Sequence, residues 1–126
     1  MKIHRAIWYK ADGSIMNVQP VDGKKFDYRE LQKAVGGLIE SIIPNKGRVN
    51  LDTGRVEVTA TGPKCSQVWA NEEGLLLGLS PNPFTPVFAN MEVYRCNGYG
   101  PGWRVAGNAI AVYSVEKDAA PTYPVI

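Results

Sequence analysis

Histidine is nearly missing from this chain: its 126 residues include one, His4. Any histidine-based dyad would have to use it, and beside Arg5 in a first strand an ordinary exposed position is the plainer reading. Cysteine is scarce as well. Cys65 and Cys96 lie far apart and share no ligand spacing with His4, so no metal site is expected and two buried thiols are the simpler account. An excess of either charge is missing: 14 basic and 12 acidic residues leave a formal net of +2. That excludes a strongly acidic mimic of DNA and gives no reason to expect a duplex-DNA partner. No run approaches the ~20 apolar residues of a membrane span. The opening MKIHRAIWYK has no long apolar core, so it is not read as a signal peptide. The expected compartment is the cytoplasm, with the thiols reduced.

Catalytic and phosphate-binding patterns are equally thin. GxxxxGK[ST] is absent, and Gly98-Tyr99-Gly100-Pro101-Gly102 loses a backbone donor at Pro101 with no obvious helix after it. Glu72 and Glu73 are neighbours in a turn and would point apart on an extended backbone, which makes them a poor acid/base pair. The chain is read as a non-enzyme with no cofactor.

What is present is a foldable domain. Hydrophobic residues make up 44% of the chain, too many for a disordered one. The organising stretch is Phe26–Ile43. Asp27 is a good N-cap, Glu30 stands where a capping box needs it, and Phe26 with Leu31 can form a hydrophobic staple. Leu31, Ala34 and Val35 share a helical face, and Gly36 or Gly37 allows a left-handed exit. Leu38–Ile43 then reads as a strand.

Around this pair the pattern predicts short strands. They are 2–9 and 15–18 joined at Asp12-Gly13, a hairpin turning at Asp52-Thr53-Gly54, and 67–70 with a returning strand over 75–78. A further strand is expected over 93–96 and a last one over 108–115. Pro86 suits the first turn of a short helix capped by Thr85. The fold class is therefore α+β, short antiparallel strands and hairpins packed on one main capped helix at about 27–35. A single domain is expected over 1–117, with 118–126 an extended C-terminal tail. The tail's apolar, proline-containing end and the number of strand edges needing cover suggest a homo-oligomer.

One loop carries most of the binding chemistry. Tyr94, Arg95, Tyr99, Trp103 and Arg104 combine flat rings with guanidinium groups. Rings stack on nucleobases, arginine forks onto phosphate oxygens, and the glycines between them let the loop close over a ligand. The ligand class this implies is a nucleotide-like anion, with Asn71 and Asn82 at rigid turns as amides able to read base edges. The weightier alternative is that Tyr94 and Trp103 are core aromatics flanking a loop, since aromatics are mostly buried. Tyr, Trp and Arg are also enriched in protein interfaces.

Four segments, YKADGSI, FDYRELQKAVGGLIE, VWANEEGLLLGLSPNP and GNAIAV, occur in that order. Together they resemble a family of small phage- and prophage-encoded proteins catalogued as a domain of unknown function. The resemblance covers most of the chain, with the 47–64 hairpin and the 92–106 loop as apparent insertions. It implies action on host defence or host machinery, in the host cytoplasm. Joined to the loop chemistry, it yields an anti-CBASS-type sponge that sequesters a cyclic-nucleotide immune signal. The alternative is a protein-interaction inhibitor that masks a host enzyme and has no small-molecule ligand, with a host defence protein as a possible partner.

Overall fold

In a computed structural model of the chain, residues 2–51, 56–116 and 123–126 are described, the side chains of 2–4 and 115–116 excepted. The elements in order are β1 (Lys2–Tyr9), β2 (Ile15–Val18), α1 (Tyr28–Val35), β3 (Ile39–Ile42), β4 (Arg48–Asn50), β5 (Glu57–Thr59) and β6 (Cys65–Asn71). Two short helices follow, α2 (Thr85–Phe88) and α3 (Met91–Tyr94), then a wide helical turn over Arg95–Tyr99 and the strand β7 (Ala109–Glu116). The fold is α+β. A five-stranded antiparallel sheet, ordered β2-β1-β7-β6-β3, stands beside a two-stranded one, β4-β5. The turn at Asp52-Thr53-Gly54 and most of the 118–126 tail lie outside the described residues.

Strand alternation gives the large sheet two apolar faces. One carries Ile7, Tyr9, Ile42, Val68, Ala70, Ala109, Ala111 and Tyr113, and is covered by Val49 and Leu51 of the small sheet's hairpin and by Phe88 of α2. The opposite face carries Ala6, Val18, Ile110 and Val112 and is covered by Leu31 of α1. Cys65 joins the first face only because the register with β7 shifts between Cys65 and Gln67. One extra residue there flips the parity of everything before it.

The main helix forms as its local sequence directs. The Asp27 carboxylate accepts from Glu30 N at 2.8 Å, and Gly36 leaves the helix at φ +81°. The capping box is only half made: the Glu30 carboxylate accepts from Val21 N at 3.3 Å instead of from the cap backbone. Trp8 Nε1 donates to Ala34 O at 3.0 Å and so ties the end of α1 to the sheet.

Two expected strands are not strands: one is a turn and the other is helical. Over 75–78 the chain coils. Leu77 N donates to Glu73 O and Leu79 N to Gly74 O, each at 2.9 Å, while the Asn71 side chain draws Glu73 N into the bend at 2.8 Å. Gly74 is pressed against Ala106, where an added Cβ would stand 2.4 Å from the carbonyl oxygen. The apolar run that reads as a strand is therefore outside the core, with Leu76 86% exposed. Over 93–96 the chain is helical, because Asn90 caps α3 by accepting from Val93 N at 3.2 Å. Thr85 is the first residue of α2, not its cap, and its hydroxyl donates to Asn82 O at 2.7 Å.

Tyr123–Ile126 lies on the chain's own body. Pro124 O accepts from Gln19 N at 3.0 Å just past β2, Lys33 Nζ donates to Ile126 O at 3.2 Å, and Ile126 packs beside Leu31. The described tail end thus meets its own helix and sheet, so it gives no motive for docking on a neighbour.

Candidate functional site: an aromatic lobe beside an open strand edge

The segment from Asn90 to Trp103 turns back on itself and gathers three of the expected aromatic residues. The Tyr94 and Trp103 rings stack with centroids 4.1 Å apart and planes 19° apart. Tyr99 meets both edge-on, at 5.2 Å from Tyr94 and 5.5 Å from Trp103. The edge-on contacts of Tyr99 are of the kind favoured for aromatic pairs. Gly98 and Gly100, at φ +91° and +82°, supply the left-handed steps that bring Tyr99 round. Tyr94 and Trp103 also lean on the first core face, whereas Tyr99 is 54% exposed.

This arrangement limits what the rings can do. Tyr94 and Trp103 occupy each other's inner faces, so no base can slide between them. A flat ligand would have to stack on an outer face or against Tyr99. Burial lifts the Tyr94 phenol above its ordinary range, with Glu40 and Tyr99 pushing the same way, so it stays a neutral hydrogen-bonding group at physiological pH.

The two arginines part company. Arg95 lines an open depression of about 230 Å³ with Met91, Glu92 and Pro101. Arg104 folds back, its Nη1 donating to Trp103 O at 2.8 Å. The two asparagines do not join the lobe at all. Asn82 has no exposed surface; its Nδ2 donates to Tyr9 O and Gly107 O at 3.0 Å each, and its Oδ1 accepts from Phe84 N at 2.9 Å. Asn71 is buried, donating to Val35 O at 3.1 Å and accepting from Glu73 N. Both amides are spent holding the fold together, which removes them from the candidate site.

A neighbouring feature has little signature in the sequence. Ile43 N donates to Tyr94 Oη at 3.0 Å and Ile43 O accepts from Asn90 N at 2.8 Å, so the lobe is bonded to the end of β3. Strand β3 is an edge of the sheet, and Leu38 and Ile43 at its two ends are exposed. Glu40, between them, has its carboxyl pushed up by burial and then by the nearby Glu72. The signal in the sequence is the polar pair Glu40-Ser41 inside an apolar run.

Cys65 is buried, Cys96 is exposed, and neither is bonded to the other. Among the described residues, no three His, Cys, Asp or Glu side chains gather closely enough to hold a metal ion, and no helix is long and apolar enough to cross a membrane. Comparison with protein-family models, curated proteins and solved structures gives no match to this chain.

Proposed function

We propose that this chain is a non-enzymatic binding protein that acts through contact with a protein partner. The observation that carries the reading is the continuous surface of Ile43, Tyr94, Tyr99 and Trp103, held together by ring contacts and by the bond from Ile43 N to Tyr94 Oη. A half-exposed tyrosine over a stacked aromatic pair, next to exposed aliphatic side chains, has the composition of an interface hot spot. The resemblance to small phage- and prophage-encoded proteins makes a host defence protein the first partner to test.

A photo-crosslinking amino acid at Tyr99, with one at Arg29 of α1 for comparison, tests this in the cells that encode the protein. A discrete protein adduct from position 99 and none from 29 is expected. No adduct from 99, or the same adducts from both positions, would reject the reading.

The second reading is sequestration of a nucleotide-like anion such as a cyclic nucleotide. It is favoured by Arg95, which lines a depression next to the aromatic lobe. Its phosphates would meet Arg95, and a base would stack on Tyr99. The depression is smaller than the ~300–1,000 Å³ of most ligand sites, so a second subunit would have to complete it. A rise in melting temperature with a cyclic nucleotide, lost in Arg95→Ala, would put this reading first.

A further inference from the structure

The hydrogen-bond phase of β3 shows which of its groups face outward. Glu72 N donates to Leu38 O at 2.8 Å, so residues 38 and 72 form a bonded pair of the antiparallel ladder. The register continues with Ile39 opposite Asn71, Glu40 opposite Ala70, Ser41 opposite Trp69 and Ile42 opposite Val68. Bonded and non-bonded pairs alternate in such a ladder. Glu40 and Ile42 therefore turn their backbone groups inward, and Ile39, Ser41 and Ile43 turn theirs outward. The groups of Ile43 are taken by Tyr94 Oη and Asn90 N. Those of Ile39 and Ser41 have no hydrogen-bond partner among the described residues, and Ser41 is exposed.

Two unpaired residues on an exposed edge are a template for another strand. A second copy of β3 fits it badly. Related by a two-fold axis, Ile39 opposite the partner's Ser41 would use all the outward groups, but it sets the two copies of Glu40 face to face. That is a non-bonded pair, in which side chains come closest, and like charges opposite one another are destabilising. Setting the two copies of Ser41 opposite each other instead brings Ile39 against Ile43, whose groups are already used. Glu40 thus guards the edge against self-pairing while it favours a guest of opposite charge. Glu72 adds a second negative charge alongside.

We propose that the open edge of β3 accepts, by strand addition, an extended segment of a protein partner that carries Lys or Arg opposite Glu40. The guest's backbone pairs with Ile39 and Ser41. Its basic side chain meets Glu40, and the residue two positions away lies against exposed Leu38. This rests on the protein-partner reading above and specifies the chemistry of that partner. It concerns backbone pairing at β3, which the Tyr99 crosslink does not report.

The probes are two blocked peptides of alternating threonine and valine around a central arginine or a central glutamate, titrated into the isotope-labelled protein. The amides of Ile39 and Ser41 are expected to shift, and the arginine peptide to bind about tenfold more tightly. Glu40→Lys should reverse that order. Ser41→Pro should abolish binding while the sheet stays folded, because the lost N–H points away from β6 and proline is tolerated on edge strands. Equal affinity for the two peptides, shifts confined to other residues, or no binding at millimolar peptide would overturn the proposal. So would Ile39 and Ser41 amides already protected from exchange in a free dimer, which would show that a second copy holds the edge. A Tyr99 adduct alongside any of these results would sink the strand-addition proposal alone.

Discussion

The phenolic oxygens of Tyr9 and Tyr113 sit 2.5 Å apart, and neither residue has any exposed surface. Each hydroxyl is a polar group inside an apolar cluster, kept there by the other. Tyr113→Phe should therefore cost ~1–3 kcal/mol, because Tyr9 is left with a buried unpaired hydroxyl. Replacing both tyrosines by Phe should cost less than the sum of the two single changes, since no orphan remains. Denaturant unfolding of the two single variants and the double variant closes the cycle; additive costs would show that the hydroxyls do not depend on each other.

The same neighbourhood sets an alkaline limit to stability. Burial raises both phenols and pushes the Cys65 thiol from 9.0 up to about 12. Groups whose folded pKa is raised stabilise fully below their unfolded pKa, and that contribution is lost as pH rises towards the folded one. Unfolding free energy should hold steady up to about pH 9 and then fall between pH 9 and 12, the window of the thiol. Cys65→Ala should remove the earliest part of that fall. Stability that rises above pH 9 would contradict the burial of these groups.

The Asp27 cap makes a smaller, local claim. Asp27→Ala should cost ~1 kcal/mol by freeing the Glu30 N–H. Glu30→Gln should change little, because its carboxylate supports the Val21 amide and not the cap. Equal losses in the two variants would restore the full capping box.

Asn82 offers a sharp contrast with the lobe residues. Asn82→Ala leaves the oxygens of Tyr9 and Gly107 and the Phe84 N–H without their side-chain partner, and should destabilise by ~3 kcal/mol or more. Tyr99→Ala, at a half-exposed position, should stay within ~1 kcal/mol of wild type. Thermal unfolding that ranks them the other way would reject the division between strut and surface.

Close approach of backbones is tested at Gly74. Gly74→Ala forces a Cβ against Ala106 O and should cost ~1–3 kcal/mol. An unchanged melting temperature would mean that the two loops do not touch.

The sequence makes local features legible and non-local ones hardly at all. Asp27 and Gly36 bracket α1 because a cap and an exit depend on residues three or four positions away. The segment Leu75–Gly78 misleads because its apolar composition suits a buried strand. What bends it is Asn71 turning its side chain to Glu73 N, and Gly74 needing to meet Ala106 across the fold. Asn82 suits a turn, but its role depends on Tyr9 and Gly107, which no spacing reveals. The aromatic lobe was half legible, since Tyr94, Tyr99 and Trp103 are close in sequence. That Glu40 sits on an open edge depends on the strand order β2-β1-β7-β6-β3, which is a property of the whole sheet.

That strand order also governs when the protein can fold during synthesis. Strand β1 lies between β2 and β7, and its Tyr9 meets Tyr113 of β7 across 104 positions of chain. As the ribosome extends the polypeptide, the β1–β2 hairpin can close early. The other side of β1 must wait until Ala109–Glu116 has emerged. Contacts this distant in sequence bear the loop-closure entropy last and slow the final step. Until then the nascent chain shows Ile7, Tyr9 and a row of unpaired amides to its surroundings. Strand β1, interior in the finished sheet, is where this protein is most exposed to misassociation and to early chaperones during synthesis.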